Sequence, residues 1–199
     1  MAILIEAEIA DRVGREHPFW AFARDDSQLD LVRERGVAAV VAEYIAHMRA
    51  IQGKGPFLLT GHCIGGYAAW ETARQLLDAG EEIAGILFFE VPIRPDFDTV
   101  LPGHPPVHET RNIMRLAHYY RPPALPIDLT YIMTETWQGL SLWAPWQDVV
   151  LGTFETAVLP DVTLGGEVFL ARRQSMIAHH VREWIDKSEA RLRRTSAPT

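Results

Sequence analysis

The only cysteine of the chain lies at the centre of a turn framed by glycines, in the stretch "GHCIGG" at residues 61–66. Gly61 and Gly65 stand two positions before and after Cys63, between a strand-like apolar run and a helix-like run. A nucleophile elbow requires small residues at these positions, because its reactive side chain lies on a crowded strand-to-helix turn. The amides that begin the helix would favour the thiolate, and the N–H of Ile64 would stabilise an oxyanion. The spacing therefore predicts Cys63 as a nucleophile and Ile64 as an oxyanion donor.

The same turn has a simpler interpretation, in which Cys63 is a small, buried and unreactive residue, as free cysteines often are. A P-loop is excluded because the only "GKG", at 53–55, precedes a strand pattern instead of opening a helix. A dinucleotide-binding fingerprint would need glycine where Cys63 stands. The strand-turn-helix context favours the reactive interpretation.

Composition limits the classes of function. The 199 residues carry 48% hydrophobic and 23% charged side chains, as expected for one globular domain. A net charge of -7 argues against nucleic-acid binding. The single cysteine excludes an internal disulfide and a CxxC metal or redox site, and we expect no cofactor. Since there is neither a long apolar run nor a basic signal-peptide start, we expect a cytoplasmic protein that does not enter the membrane.

Short apolar runs alternate with helical patterns, which is typical of a parallel sheet covered by helices. Strands are predicted at 18–23, 56–61, 85–90, 128–134 and 154–160. The spacing of apolar residues predicts helices around 37–48 and 65–77, and a C-terminal helix with its apolar stripe at Leu170, Ile177, Val181 and Trp184.

Residues 91–127 contain eight prolines and no strand pattern, which favours a lid-like segment over a linker. A polar tail occupies residues 193–199. Because no repeat or linker divides the chain, we expect a single α/β domain over residues 1–199.

Four stretches resemble the thioesterase domains of polyketide and nonribosomal peptide synthetases, which have the α/β-hydrolase fold. They read "GREHPFWAFARDDS", "GPFLLTGHCIGGYAAWETARQL", "GEEIAGILFFEVP" and "HHVREWI". The similarity covers most of residues 5–186 and is most specific over 56–90. Members of this family release an acyl chain from a carrier protein through an acyl-enzyme, and most use serine at the elbow. The resemblance implies an acyl thioester substrate, bound to a carrier protein or to coenzyme A, and places Cys63 where the serine stands.

The resemblance also suggests the acid of a catalytic triad. In this family the acid commonly ends the strand after the elbow helix, and Glu90 holds that position in "GILFFE". The carboxyl ends of parallel strands are where α/β sheets place their sites. Glu135, at the end of the next predicted strand, is a rival, and Asp161 is a weaker third candidate.

The base of a triad is harder to place, because no histidine occurs between His118 and His179. The family expects one in a loop before the last helix, which corresponds to Gly165 or Gly166 here. His180 is the candidate retained, since it lies at the edge of the apolar stripe of the final helix, with His179 further round. Without a base, an acyl-enzyme would hydrolyse slowly.

The amino-terminal part departs from the family pattern. The strands and the glycine-rich oxyanion loop that normally precede residues 18–23 are not recognisable, so the similarity implies an α/β-hydrolase shortened at its N-terminus, with a sheet of about five strands. Such a chain is a fragment of a longer protein, a naturally shortened relative, or a subunit that dimerises. An exposed sheet edge must be paired or covered, and a homodimer that completes the sheet is one solution.

Two functions remain open. The first is a thioesterase-like acyl hydrolase or acyltransferase that works through Cys63, Glu90 and a histidine. The second is a hydrolase-fold module that binds a carrier protein or an acyl ligand without turnover, which the missing imidazole favours.

Overall fold

A computed structural model of the chain describes residues 7–14, 16–21, 26–63, 65–93, 120–160 and 174–195. Four strands form a parallel sheet in sequential order. They are β1 (Phe57–His62), β2 (Ile83–Phe89), β3 (Leu129–Thr134) and β4 (Phe154–Leu159). The helices are α1 (Ala7–Val13), α2 (Asp26–Ile51), α3 (Gly65–Asp78), α4 (Glu135–Leu140) and α5 (Gln174–Thr195), with a 3₁₀ helix at Ala144–Asp148. The predicted α/β class is confirmed.

The helices cover both faces of the sheet. On β2, Phe88 contacts Trp70 of α3, with ring centres 6.2 Å apart. A side chain at Gly85 would instead meet Ser188 of α5, at 3.1 Å from its Oγ. Since residues 85 and 88 point to opposite faces of a strand, α3 and α5 lie on opposite sides. β2 is therefore buried on both faces, which explains its nearly continuous apolar sequence.

Two sequence expectations need correction. The described part of the chain has a sheet of four strands instead of about five, because residues 18–21 of the predicted first strand are not in a strand. Pro18 has no N–H to donate, and Trp20 is 56% exposed, so this run gains little from strand pairing. The polar tail starts later than predicted, because α5 continues through residues 193–195.

The lid-like segment can be located only by its ends. Residues 91–93 follow β2, and 120–127 lead into β3 with a bridge between Leu125 and Val150. Residues 94–119, and with them the predicted helical lid, lie outside the described residues. Leu170 of the predicted stripe does too, whereas Ile177, Val181 and Trp184 are buried as expected.

An ionic cluster joins α5 to the sheet. Asp128 accepts a hydrogen bond from the N–H of Thr153 at 2.6 Å and forms an ion pair with Arg191. Burial opposes ionisation of Asp128, but these hydrogen bonds outweigh it, and the pKa of the carboxyl lies below its usual value. In the described part of the chain, no helix is long and apolar enough to cross a membrane.

Candidate active site

The chain makes a sharp turn at Cys63. β1 ends at His62, α3 begins at Gly65, and Cys63 between them has a φ of 49°. Its N–H donates to the carbonyl of Phe89 at 3.0 Å, and its own carbonyl accepts from Gly66 at 3.1 Å. A left-handed backbone is unfavourable for a residue with a Cβ, and such strain is concentrated at functional sites. The elbow geometry expected from the sequence is present, and Cys63 is partly exposed, not sealed in the core.

Two glycines make the turn sterically possible. A Cβ on Gly61 would lie 2.5 Å from the Cα of Gly66. A Cβ on Gly66 would lie 2.4 Å from both methyl groups of Val91. The structure thus adds Val91 to the elbow, as the side chain that packs against the first turn of α3.

Strand register brings Cys63 and Glu90 to the same edge. His62 pairs with Phe89, so the residues that follow these two, Cys63 and Glu90, leave neighbouring strands at the same level. Neighbouring strands lie about 4.8 Å apart. A carboxyl group therefore stands at the strand end next to the thiol, at the edge where parallel sheets place ligands.

Glu90 is held in an unusual environment. It has a φ of 46° and is 2% exposed. Its Oε1 accepts a hydrogen bond from the N–H of Thr134 at 3.1 Å. Burial raises the pKa of Glu90 above its usual value, and the hydrogen bonds from Thr134 oppose this only in part.

The rival acids are placed differently. Glu135 begins α4 and is exposed to solvent. Asp161 lies outside the described residues, as does Ile64, so the oxyanion role of the Ile64 N–H stays a prediction. Burial beside the elbow favours Glu90 over the exposed Glu135 as the acid.

The histidines remain the weakest part of the site. His180 lies on α5, with its Nδ1 3.5 Å from Glu183, and its ring is 5.8 Å from that of His179. Burial lowers the pKa of His180, and the nearby Glu183 partly offsets the effect. His62, next to Cys63, has its pKa lowered by burial to about 4, so it is neutral near pH 7. The assignment of His180 as the base stays a prediction.

One residue near the site was not singled out from the sequence. Tyr131 of β3 is fully buried, and its hydroxyl donates to the carbonyl of Val91 at 2.8 Å. The charges of Glu90 and Cys63 both contribute to its electrostatic environment. The signal was a tyrosine in a largely buried strand, because a buried hydroxyl needs a hydrogen-bond partner.

A cavity of about 260 Å³ lies elsewhere, beside the first half of β1. Its apolar walls include Trp20, Ile51, Leu58 and Trp184. Neither Cys63 nor Glu90 contributes to it. We place the candidate site at the strand ends, because the strained turn and the buried carboxyl are there.

Part of the chain matches a known protein family. The family model of the thioesterase domain matches residues 18–96, which include the elbow, Glu90 and Val91. The resemblance to thioesterase domains is confirmed. The chain also has relatives among polyketide synthases and atromentin synthetases, as the following matches show.

The relatives are much longer than this chain. It is 51% identical over 55 residues to the non-reducing polyketide synthase crz7 of Cladonia metacorallifera, which covers 28% of this chain and 3% of the synthase. It is 29% identical over 90 residues to the atromentin synthetase nps3 of Serpula lacrymans var. lacrymans (strain S7.9). This match covers 45% of this chain and 9% of the synthetase. The matched segments therefore span only a small part of these relatives.

Solved structures show the same fold. The NocB thioesterase domain in covalent complex with a fluorophosphonate nocardicin G analogue aligns with a TM-score of 0.57 at 20% identity, covering 75% of this chain and 74% of that one. ClbQ from the colibactin NRPS/PKS pathway aligns with a TM-score of 0.54 at 15% identity, covering 78% and 77%. The thioesterase-type α/β-hydrolase-like fold implied by the sequence is confirmed.

Proposed function

We propose that this thioesterase-like chain releases or transfers acyl groups from a thioester on a carrier protein or coenzyme A, with Cys63 as the nucleophile. The observation that carries the proposal is the left-handed backbone at Cys63, partly exposed at the tip of a strand-turn-helix and level with the buried Glu90. The family match over residues 18–96 supports the thioester chemistry.

The proposed reaction has two steps. The thiolate of Cys63 attacks the carbonyl carbon of the thioester, and the tetrahedral intermediate breaks its bond to the pantetheine sulfur. The pantetheine thiolate leaves and takes up a proton, while the acyl group remains on Cys63 as a new thioester. Since one thioester replaces another, this step is close to isoenergetic, and an ionised thiol is a strong nucleophile.

In the second step, water or another acceptor attacks the acyl-cysteine. The acceptor loses a proton to a base, and the free acid or transferred product leaves as the thiol is restored. Glu90 is proposed as the acid that orients and stabilises this base. His180 is the histidine predicted for the role, and its contact with Glu183 would have to open.

The first experiment tests acylation. The protein is incubated with hexanoyl-N-acetylcysteamine, and intact mass and thiol release are followed over time. We expect a mass increase of one acyl group in the native chain and none in Cys63→Ala. If the native chain gains no acyl group, and Cys63 reacts with iodoacetamide only at the pH of an ordinary thiol, the proposal is wrong.

Two matched variants test the assignment of Glu90 as the acid. Glu90→Gln and Glu135→Gln make the same chemical change at two neighbouring strand ends. We expect Glu90→Gln to lower turnover by about 10²-fold or more, on the scale of general acid–base contributions, and Glu135→Gln to change it by less than about 3-fold. Equal effects would reject the assignment of Glu90.

Binding without turnover is the second candidate. It is favoured by the histidines that the structure describes, since His180 contacts Glu183 and His62 is weakly basic. An acyl-Cys63 adduct that forms once and persists for hours, or carrier binding with no adduct, would support this function.

A further inference from the structure

Buried aromatic side chains bind the backbone immediately after Glu90. The carbonyl of Val91 accepts from the hydroxyl of Tyr131 at 2.8 Å and from Nε1 of Trp146 at 2.7 Å. The next carbonyl, of Pro92, accepts from the hydroxyl of Tyr67. A carbonyl oxygen has two lone pairs, so the two donors at Val91 satisfy it fully. These hydrogen bonds hold the Val91–Pro92 peptide, the second peptide after Glu90, in one orientation.

Tyr131 is the donor whose own orientation is fixed. It is fully buried on β3, and its oxygen accepts a hydrogen bond from Nε1 of Trp137 at 3.0 Å. Because the hydroxyl receives one hydrogen bond and donates another, its proton is directed at Val91. Trp137 thus donates to Tyr131, and Tyr131 donates to the backbone carbonyl of Val91, next to Glu90.

The backbone conformation at Glu90 must be held by surrounding contacts. Its φ of 46° is unfavourable for a residue with a Cβ, and it persists only where the surroundings hold it. The N–H of Glu90 donates to the carbonyl of Ile132 at 3.2 Å, which fixes the peptide before it. On the other side, the bound carbonyl of Val91 fixes the Val91–Pro92 peptide, one residue beyond Glu90. Between these two points the carboxylate turns to the N–H of Thr134.

Tyr131 also lies close to the reacting groups while remaining neutral. Burial raises the pKa of Tyr131 well above its usual value, and the nearby charges of Glu90 and Cys63 raise it further. The hydroxyl therefore stays protonated and remains a donor throughout the working pH range.

We propose that Tyr131 is a positioning residue for Glu90. Its hydroxyl, oriented by Trp137, holds the carbonyl of Val91 and so keeps the Glu90 carboxylate at the strand end beside Cys63. The inference rests on the proposed function, in which Glu90 is the acid, and concerns how this carboxylate is kept in place.

Tyr131→Phe and Tyr67→Phe provide a matched test. Each removes one buried hydroxyl that donates to a carbonyl after β2, but Tyr131 binds the carbonyl of the residue next to Glu90, whereas Tyr67 binds that of Pro92, one residue further away. The first measurement is the titration of Glu90 by carboxyl ¹³C NMR, assigned with Glu90→Gln. The second is kcat and KM with hexanoyl-N-acetylcysteamine.

We expect Tyr131→Phe to bring the pKa of Glu90 down toward its ordinary value, because the Val91 carbonyl is then held by Trp146 alone and the loosened backbone lets water reach the carboxylate. We expect kcat to fall about 10- to 100-fold with KM changed less than about 2-fold, as for a misplaced catalytic group. Tyr67→Phe should leave the titration unchanged and lower kcat less than about 3-fold.

The outcomes are distinguishable. An unchanged Glu90 titration in Tyr131→Phe, or equal effects of both variants, would overturn the positioning role. If the native chain shows no turnover but Tyr131→Phe still shifts the titration, positioning stands and the proposed function fails. If Tyr131→Phe does not fold, Trp137→Phe is measured instead. The positioning role then requires a smaller shift of the Glu90 pKa in the same direction.

Discussion

The contact between Gly66 and Val91 provides the sharpest test of the elbow geometry. Gly66→Ala would place a Cβ 2.4 Å from both Val91 methyl groups, which is far inside normal contact. Val91 is fully buried, so its side chain has little freedom to move away. Overpacking of this kind costs about 1–3 kcal/mol. Replacing glycine by alanine in a helix returns up to about 1 kcal/mol, so we expect a net loss of about 1–2 kcal/mol.

A second substitution separates this clash from other effects. Val91→Ala alone removes two buried methyl groups and is expected to cost about 2 kcal/mol, from transfer and cavity terms. In the double variant both methyl contacts are removed and only the Cβ of residue 91 stays close to the added Cβ, at 2.9 Å, so most of the clash is relieved and the total loss should be about 1–2 kcal/mol. Simple additivity would give about 3–4 kcal/mol, and the predicted coupling is therefore about 2 kcal/mol.

Urea unfolding with a constant m-value measures these free energies. Gly139→Ala in α4 is the control, because nothing lies within 4 Å of the added Cβ, and it should stabilise the chain or leave it unchanged. If the loss in the double variant equals the sum of the losses in Gly66→Ala and Val91→Ala, the two residues do not touch. The packing described for the elbow would then be refuted.

Three further predictions concern polar groups away from the elbow. Ser188→Ala should stabilise the chain by about 1–2 kcal/mol, because the buried hydroxyl has no hydrogen-bond partner among the described residues; a loss above 1 kcal/mol would show that it has one. Tyr120→Phe should cost about 1–2 kcal/mol in urea unfolding, since it removes a 2.9 Å hydrogen bond to the buried carboxylate of Glu71; no loss would contradict this. Asp128→Asn should be less stable than the native chain at pH 7. Because the folded pKa of Asp128 is lowered, this difference should shrink as the pH falls below about 4; a constant difference would reject the pairing with Arg191 as its source.

Much of the fold was predictable because its signals are local. The strands β1 to β4 were recognised from short apolar runs, and the signal is clearest in β2, since a strand buried on both faces is apolar along its whole length. The elbow was recognised from Gly61 and Gly65 on either side of Cys63, since glycine relieves crowding at such a turn, and the structure places the closest contacts at Gly61 and Gly66. The strand predicted at 18–23 was wrong in its described part, because apolar content alone does not show whether Trp20 is buried.

The sequence by itself determined the α/β class, the strained turn at Cys63 and the carboxyl candidate at the end of β2, since each depends on residues adjacent along the chain. Only the tertiary structure decided that Glu90 is buried while Glu135 is exposed, and that Tyr131 binds the backbone beside Glu90. Burial and hydrogen bonding between residues 40 positions apart depend on how strands align side by side, which no local pattern encodes.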